Sequence, residues 1–545
     1  MSQRPATAPL SWLAVLAPAA VAAALCAVGI ASRSLWLDEG ASVAIASQHG
    51  AALWRGIAHD GGNMLVFYLA LHEVFALFGE GTVALRLLSL LGQAATAGLV
   101  AWLALSLFRS RRVALGAGLL VAVSVPLVFW GQDGRGYALM VTFATASFVA
   151  LLAMAGGGSE GRGRGRAGWI VYVVCLTLAL YLGFDAALVV PAQLLLVVLW
   201  RRPLRPVITA LGLVVLLCVP LAVLALERGS GQLFWVPPLS GSTLGQALVT
   251  LVSSGLPPNV HTTLLTGFSA AFITGLALVG LVKVARGGAT RGDAVGGGAS
   301  GGASGGASGG AVGERETERF EAGGLVPALW LGVPMLLAVL AAAVGEPLEL
   351  ARITILSIPA LALLLAAMML GPRGSPRARG VGAGAFLLVL AFRVAVLVPY
   401  YGEHPEPWST VSARVLAAAR AGDCVAFYPQ DGRMPFDYYV RRATGSAGRA
   451  APPRPILPAA PWSATTPYVE AYRVPALTAL TRLTAGCERV WLIASHQGQA
   501  QGPARSRANL AGYERLQAEL RARYGSSSVA RYGYAAAIEV GLYTH

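Results

Sequence analysis

Long apolar stretches recur along the first 400 residues, and each is about as long as a transmembrane helix. They lie at 11–31, 83–108, 113–130, 138–155, 169–183, 185–200, 207–226, 263–284, 323–343, 353–370 and 381–399. A helix needs about 20 mostly apolar residues to cross a bilayer, and in lipid only helices and closed barrels satisfy their own backbone groups. Only 12% of the 545 residues are charged, about half the share in soluble domains. We predict an α-helical polytopic membrane bundle of about 11 transmembrane helices.

The basic residues indicate which helix ends face the cytoplasm. They cluster at 109–112, 162–166, 201–205, 283–291 and 373–379. Cytoplasmic loops of membrane proteins are enriched in Lys and Arg, and with the N-terminus in the cytoplasm all of these clusters fall on that side. We therefore interpret the net charge of +15 as loop charge and not as a nucleic-acid-binding surface. The span 11–31 also has features of a signal peptide, but we interpret it as a membrane anchor.

Two segments of the first 400 residues do not have the pattern of spans. Residues 64–78 are apolar but short, and they contain His72 and Glu73, so we predict an interfacial or re-entrant helix. Residues 287–322 begin with repeats of Gly, Ala and Ser, which offer few side chains from which to build a core. We predict a flexible cytoplasmic linker there, within a membrane domain that covers 1–400.

The composition changes after about residue 400, where proline and polar residues return. Two β-like runs alternate with two helical patterns, at 424–428, 489–494, 409–421 and 508–524. This alternation predicts a small extracytoplasmic α/β domain over 401–545.

The cysteines and polar residues of this outer domain suggest no catalytic site. Cys424 and Cys487 each begin a predicted strand in an oxidising compartment; a disulfide stays open, but we favour two free cysteines. We expect a solvated surface at the scattered polar residues Asp423, Asp431, Asp437, Tyr438, Tyr439 and His496.

The first outer loop carries two adjacent carboxylates, Asp38 and Glu39, in the segment WLDEGAS. A charged side chain at the mouth of a membrane helix is costly against lipid, so both should face water or protein. The alternative is that they only cap the positive N-terminal end of a helix. Because consecutive helical residues point in different directions, one acid can act as a base while the other orients a partner. We predict both as catalytic residues.

A second polar cluster, QDGRGY, fills the turn between the third and fourth predicted spans. It contains Gln132, Asp133, Arg135 and Tyr137, which we predict to bind substrate; a surface pair between Asp133 and Arg135 is the alternative. A guanidinium is a planar fork of donors that suits phosphate. Arg352, at the start of a late span, is a second phosphate-binding candidate unless it only reaches toward the interface.

Asp60 precedes the predicted interfacial helix and follows His59. Two candidate ligands do not make a metal site. We therefore predict no metal-binding residues and place Asp60 among the substrate-binding residues.

The order of these motifs resembles the GT-C superfamily of polytopic glycosyltransferases, in particular its bacterial dolichyl-phosphate-mannose-mannosyltransferase-like and aminoarabinose-transferase-like branch. The resemblance rests on four segments: WLDEG, HDGGNMLVFYLALHEVFALFGEGTVALRLLS, QDGRGYAL and ELARITILSIPALALLLA. It covers roughly residues 10–400 in element order and is most specific at 36–42, at Phe78 and Gly79 with Arg86, and at 132–137.

The resemblance implies an enzyme that transfers a mannose-like sugar or a pentose from a polyprenyl-phosphate donor to a lipid, protein or glycan acceptor. It places the reaction outside the bacterial cytoplasmic membrane. It implies Asp38 as the base, Glu39 as its acidic neighbour, and Arg135 and Arg352 as contacts to the lipid phosphate. Attack from the face opposite the phosphate would invert the anomeric carbon. Membrane lipids are further partners, nucleic acid is not, and a divalent cation is the only cofactor left open.

Two other functions are weighed against this one. A polytopic lipid or glycan transporter, or a flippase, predicts ionisable residues deep within helices and an internal repeat, whereas the predicted spans are almost free of charge apart from Arg393. A catalytically silent membrane scaffold would tolerate the loss of Asp38. The sequence has no P-loop and no strand–GxGxxG–helix unit, so we do not expect a nucleotide sugar as donor.

Overall fold

The structure is a computed structural model. It describes residues 8–545 apart from 156–161, 230–232, 234, 257–263, 297–307, 347, 373–374, 404–405, 445–450, 464–471, 473, 499–502 and 534–536. Within the described residues, 18 helices precede the outer domain. They are α1 (Ala8–Ala27), α2 (Leu37–Ala46), α3 (Gly50–His59), α4 (Leu65–Phe78), α5 (Thr82–Phe108), α6 (Arg111–Ala122), α7 (Val125–Gly131), α8 (Tyr137–Ala155), α9 (Arg162–Leu182), α10 (Val189–Leu199), α11 (Leu204–Leu217), α12 (Val219–Arg228), α13 (Gly241–Leu251), α14 (Leu264–Gly296), α15 (Ser308–Ala343), α16 (Leu350–Ile353), α17 (Ile358–Leu370) and α18 (Pro376–Tyr400).

Each apolar stretch predicted as a span corresponds to a helix or to a bent pair of helices. Within the described residues, α5, α8, α14, α15 and α18 are each long and apolar enough to cross a membrane. Three bent pairs bring this number to as many as eight, and α1, α9 and α10 are shorter apolar helices. The prediction of a helical multi-pass membrane protein is confirmed.

The three bends have the same cause. They are 63° between α6 and α7, 51° between α11 and α12, and 55° between the α16 segment and α17. The second helix of each pair has a proline in its first turn, at Pro126, Pro220 and Pro359. Proline has no N–H to donate, and it disfavours helical geometry in the residue before it. Two of the bends, α6/α7 and α16/α17, adjoin the segments with predicted substrate-binding residues.

Arg393 is the one charged residue that the sequence placed deep within a predicted span, and it is fully buried in α18. It donates hydrogen bonds to the backbone carbonyl of Leu120, in α6, and to that of Val252, 3.4 Å away at the end of α13. Helix C-termini present free carbonyls with partial negative charge. Arg393 therefore serves to satisfy backbone groups at two helix ends.

The glycine-rich segment 287–322 is helical at both ends. Helix α14 continues to Gly296 and α15 begins at Ser308, whereas 297–307 lie outside the described residues. The helical part after Gly313 has the sequence ERETERFEA, and Glu and Arg are strong helix formers. A flexible linker over the whole of 287–322 therefore does not describe these flanks.

The outer domain is a five-stranded sheet between two layers of helix. Its elements are α19 (Trp408–Ala418), β1 (Asp423–Tyr428), α20 (Arg433–Thr444), β2 (Arg454–Leu457), α21 (Leu477–Leu483), β3 (Arg489–Ala494), α22 (Pro503–Tyr524), β4 (Ser526–Tyr532) and β5 (Ile538–Thr544). The strand order is β2-β1-β3-β5-β4, with β1 parallel to β2 and β3, and β5 antiparallel to β3 and β4. The α19 and α20 side chains pack on one face, and those of α21 and α22 on the other.

Cys424 and Cys487 form a disulfide, so the prediction of two free cysteines is wrong. Strands β1 and β3 are adjacent and parallel, with Asp423 opposite Arg489. This register brings the two cysteines to a Cα–Cα distance of 5.6 Å, which suits a disulfide. The sequence separation of 63 residues hid this pairing, because it depends on which strands are neighbours.

Candidate active site

Helix α2 begins directly after the first outer loop and carries both predicted catalytic acids in its first turn. Trp36, at the N-cap, has an extended backbone and makes no side-chain cap. The N–H groups of a first helical turn have no partner within the helix, so carboxylates are favourable there. Helix capping, however, does not account for the contacts that Asp38 and Glu39 make.

Glu39 is buried and fully bonded. Its two carboxylate oxygens accept hydrogen bonds of 2.7 Å from Nε and Nη2 of Arg86 in α5, and Oε1 also accepts from the backbone N–H of Gly134. Both side chains are 1% exposed. Arg86 further donates to the backbone carbonyls of Ile30, Arg33 and Ser34. This bidentate pair fixes the first loop, α5 and the 132–136 turn to one another.

Asp38 points to a different place and is much less restrained. Its side chain is 32% exposed, and Oδ2 lies 3.8 Å from Nε of Arg135. Among the described residues, this ion pair is the only contact found for the Asp38 carboxylate. A carboxylate that is held near a cation yet open to solvent can accept a proton from an incoming hydroxyl.

Asp60 reaches Arg135 through a tyrosine that the sequence did not suggest. The hydroxyl of Tyr68 donates to Oδ2 of Asp60 at 2.9 Å and accepts from Nη1 of Arg135 at 3.0 Å. Burial raises the pKa of Asp60 to about 6, although the positive charge of Arg135 opposes the rise. Asp38, Arg135, Tyr68 and Asp60 therefore form one network. Tyr68 lies in α4 within an apolar run, where no spacing distinguishes it from a core residue.

Gln132 and Asp133 lie in the same turn as Arg135 but contact the scaffold. Nε2 of Gln132 donates to the backbone carbonyls of Cys26 and Val28, and its Oε1 accepts from Arg33 and Tyr400. Oδ1 of Asp133 accepts from Nε1 of Trp36 at 2.6 Å. Burial, and then the charge of nearby Glu39, raises the pKa of Asp133.

Tyr137 and Arg352 lie together, although they are far apart in the sequence. Nη1 of Arg352 donates to the Tyr137 hydroxyl at 2.5 Å, and its Nε lies 2.6 Å from Oε2 of Glu349. The guanidinium also lies within 5.5 Å of the ring centroids of Trp130, Tyr137 and Trp235, a favourable arrangement for a cation. It is 16% exposed. Its partner Glu349 is three residues earlier, a spacing typical of helical ion pairs.

The outer domain holds the loop that precedes Asp38. The backbone N–H of Leu35 donates to the Tyr439 hydroxyl at 2.8 Å, and that of Leu37 donates to Oε2 of Glu406 at 3.0 Å. Gly40 packs so closely that an added Cβ would lie 2.7 Å from Cδ of Pro435. The outer domain is thus part of the wall around α2.

The expectation of a solvated surface for the outer domain's polar residues is wrong. The residues concerned are buried or half-buried: Asp423, Asp431, Asp437, Tyr438, Tyr439 and His496. Asp423 accepts hydrogen bonds from Arg489 and Trp491, Asp437 pairs with Arg433, and His496 lies 3.4 Å from Glu406. The pairings of Asp423 and His496 join distant segments, so local sequence did not indicate them, whereas Asp437 and Arg433 are four residues apart in α20.

Within the described residues, no group of three or more His, Cys, Asp or Glu side chains is arranged to hold a metal ion. The neighbouring carboxylates of the site, Asp38 and Asp60, are associated with Arg135 instead.

No protein-family model and no curated protein matches the sequence. Among solved structures, the chain is similar to ArnT, an aminoarabinose transferase, from Cupriavidus metallidurans bound to undecaprenyl phosphate, with a TM-score of 0.53 and 15% identity over 98% of each chain. The same protein in the apo state gives a TM-score of 0.44 at 14% identity over 97% of each chain. The apo oligosaccharyltransferase of Archaeoglobus fulgidus gives 0.48 at 11% identity, over 90% of this chain and 70% of that chain.

The chain has the same fold as ArnT. The likeness to the first ArnT structure extends over both domains, because it covers nearly the whole of each chain. It confirms the predicted fold class and is consistent with the resemblance noted in the sequence. A fold alone does not assign a reaction, and the chemistry that this chain can perform depends on the residues around Asp38 and Arg135.

Proposed function

We propose that this protein is an integral membrane glycosyltransferase. It transfers a sugar from a polyprenyl-phosphate donor to an acceptor outside the bacterial cytoplasmic membrane. The fold is similar to that of ArnT, whose structure holds undecaprenyl phosphate, and this similarity supports a lipid-phosphate donor. The sugar is mannose-like or a pentose, and the acceptor is a lipid, a protein or a glycan.

The observation that carries this proposal is the setting of Asp38. It is a half-exposed carboxylate beside Arg135, and Arg352 is close enough for its charge to interact with both residues. One accessible base near a buried and a half-buried guanidinium group suits a reaction that removes a proton from a hydroxyl and releases a phosphate.

In the proposed mechanism, Asp38 accepts a proton while Arg135 and Arg352 stabilise the leaving phosphate. The acceptor hydroxyl gives its proton to Asp38 as its oxygen attacks the anomeric carbon of the donor. The bond from that carbon to the phosphate oxygen breaks, and the electron pair leaves on the lipid phosphate. Arg135 and Arg352 stabilise the charge that develops there, through the donor fork that guanidinium offers to phosphate. Attack from the face opposite the phosphate inverts the anomeric carbon.

The remaining predicted residues have supporting roles in this scheme. Tyr137 orients Arg352, and Asp60 acts on Arg135 through Tyr68. Glu39, Gln132 and Asp133 hold the scaffold around them. We thus assign Glu39 as a positioning residue and Asp38 as the base.

The test is transfer of radiolabelled sugar from a panel of polyprenyl-phosphate sugars into membrane extracts. We expect the intact protein to incorporate label from one member of the panel. Asp38→Asn should lower the rate by about 10²–10⁴-fold, the usual contribution of a general base, with unchanged expression. Glu80→Gln is the matched control, because Glu80 is an exposed carboxylate that pairs only loosely with Arg441 at 3.6 Å.

The outcomes separate the candidate functions. Equal incorporation by wild type and Asp38→Asn would show that Asp38 is not the base. No incorporation by well-folded protein from any donor would contradict the transferase and favour a transporter, a flippase or a scaffold. A requirement for a divalent cation is read in the same assay by adding a chelator.

A further inference from the structure

The outer domain contacts α2, the helix that carries Asp38, through loops at the C-terminal ends of its strands. The chain leaves β1 to form β2 on one side and later forms β3 on the other, and all three strands are parallel. The carboxyl ends of β1 and β3 therefore meet at a topological switch point, where α/β folds place their functional residues. The turn that follows β1, Gln430–Gly432, contacts α2. The segment that follows β3 contains His496.

Glu406 connects this end of the sheet to the first turn of α2. It lies between α18 and α19 and is buried. Its Oε2 accepts the backbone N–H of Leu37, the residue next to Asp38, at 3.0 Å, and Nε1 of Trp408 at 3.1 Å. Trp36 provides no side-chain cap for α2. The backbone N–H of Leu37 is instead bonded by a carboxylate 369 positions away in the sequence.

His496 holds the other oxygen of the same carboxylate. Its Nε2 lies 3.4 Å from Oε1 of Glu406. The backbone of His496 has φ of 53°, in the left-handed region that non-glycine residues rarely adopt and that recurs at functional sites. The hydroxyl of Tyr472 donates to its carbonyl at 3.0 Å, which helps to retain this conformation.

The charges around His496 favour its protonated form. Burial alone would lower the pKa of His496, but the carboxylates of Glu406, Asp431 and Asp38 raise it above its usual value. When it is protonated, His496 interacts favourably with all three of these carboxylates.

We propose that Glu406 and His496 are positioning residues for Asp38: Glu406 fixes the first turn of α2, and His496 holds the Glu406 carboxylate in place. This inference rests on the proposed function, in which Asp38 is the base. It makes the outer domain a structural part of the active site, because Glu406 restrains the backbone next to Asp38 in addition to the restraint from the Glu39–Arg86 pair.

The first experiment measures the position of α2 without using activity. Hydrogen–deuterium exchange of the full-length protein in detergent reports how often the amides of Leu37–Ala46 open. We expect Glu406→Ala and His496→Ala to speed exchange in this helix by about tenfold, because tenfold corresponds to about 1.4 kcal/mol, which is within the usual cost of a lost helix cap. Glu539→Gln is the matched control, because Glu539 accepts a hydrogen bond from Tyr513 in the same domain but, among the described residues, makes no hydrogen bond or ion pair with α2.

The second experiment measures transfer with the donor that the panel identifies. Misplacing a catalytic group by about 1 Å costs about 100-fold in rate, so we expect Glu406→Ala to lower kcat by about that factor. The donor KM and the binding of undecaprenyl phosphate should stay within about twofold, because Arg135 and Arg352 are untouched. His496→Gln keeps a donor near the Nε2 position and should recover most of the rate that His496→Ala loses.

Unchanged exchange in α2 of Glu406→Ala would overturn the inference. So would an equal loss in Glu539→Gln, or a loss in Glu406→Ala that appears only in the donor KM. If Asp38→Asn abolishes transfer while both alanine variants behave as wild type, this inference alone fails. If Asp38→Asn retains full transfer, the proposed base fails, whatever the exchange data show.

Discussion

Two acid–arginine pairs lie one residue apart in this protein and differ in almost every respect. Glu39 and Arg86 make a bidentate contact at 2.7 Å, and both are 1% exposed. Asp38 and Arg135 approach only to 3.8 Å, and the Asp38 side chain is 32% exposed. The first pair leaves little capacity for a ligand. The second has an accessible carboxylate and a guanidinium whose Nε has no hydrogen-bond partner within the described residues.

In the proposed function, the two pairs have different roles: Glu39 and Arg86 support the structure, and Asp38 and Arg135 take part in the reaction. A buried pair is stable only when its polar atoms are all bonded, and Arg86 meets that condition with three backbone carbonyls besides Glu39. A reacting carboxylate must instead exchange partners during each turnover. Glu39 and Asp38 are consecutive in α2. The contact between Glu39 and Arg86 therefore fixes the helix that carries Asp38.

The largest expected effect is on stability, and Glu39→Gln tests it. Asp38→Asn makes the same chemical change, from a carboxylate to an amide, in the other pair. Removing one partner of a buried ion pair costs about 3–5 kcal/mol, because the other charge stays buried without compensation. We expect Glu39→Gln to lower the yield of folded protein and its unfolding temperature in detergent. Asp38→Asn should leave both near the wild-type values. Equal unfolding temperatures for the two variants would show that the two pairs do not differ as described.

Much of the fold could be predicted from the sequence because the bilayer imposes a simple length rule. Every predicted span corresponds to a helix or a bent pair, and Pro126, Pro220 and Pro359 explain the bends. The extension of helix into 287–322 was missed, because the glycine repeats obscured the good helix formers that follow them.

The candidate site could be predicted only in part. Asp38, Arg135 and Arg352 stand in recognisable local segments. The partners that distinguish their roles are distant in sequence: Arg86 is 47 residues from Glu39, and Glu406 is 369 from Leu37. Such contacts depend on how helices pack against each other, and a single sequence carries no local pattern for them.

The next prediction concerns the two arginines that we propose as contacts to the donor phosphate, Arg135 and Arg352. Lysine keeps the charge of arginine but loses the planar fork that matches phosphate. We expect Arg135→Lys and Arg352→Lys each to raise the donor KM by about tenfold, since one charged hydrogen bond is worth about 1.5–3 kcal/mol. Arg441→Lys is the control, because Arg441 is 56% exposed and pairs only loosely. A donor KM within twofold of wild type in both site variants would contradict the assignment of the phosphate contacts.

The smallest expected effect concerns Asp60, which competes with the donor phosphate for Arg135 through Tyr68. Because burial raises its pKa to about 6, Asp60 is ionised above that pH and neutral below it. The donor is a phosphodiester whose own charge does not titrate in this range. The donor KM of the wild type should therefore rise as pH increases through about 6, and Asp60→Asn should remove the rise. Because Asp60 acts on Arg135 only through Tyr68, we expect an effect of at most about 1 kcal/mol, or about fivefold. The measurement is donor KM against pH for both proteins, and a wild-type KM that falls with rising pH would show that Asp60 supports Arg135 instead of competing for it.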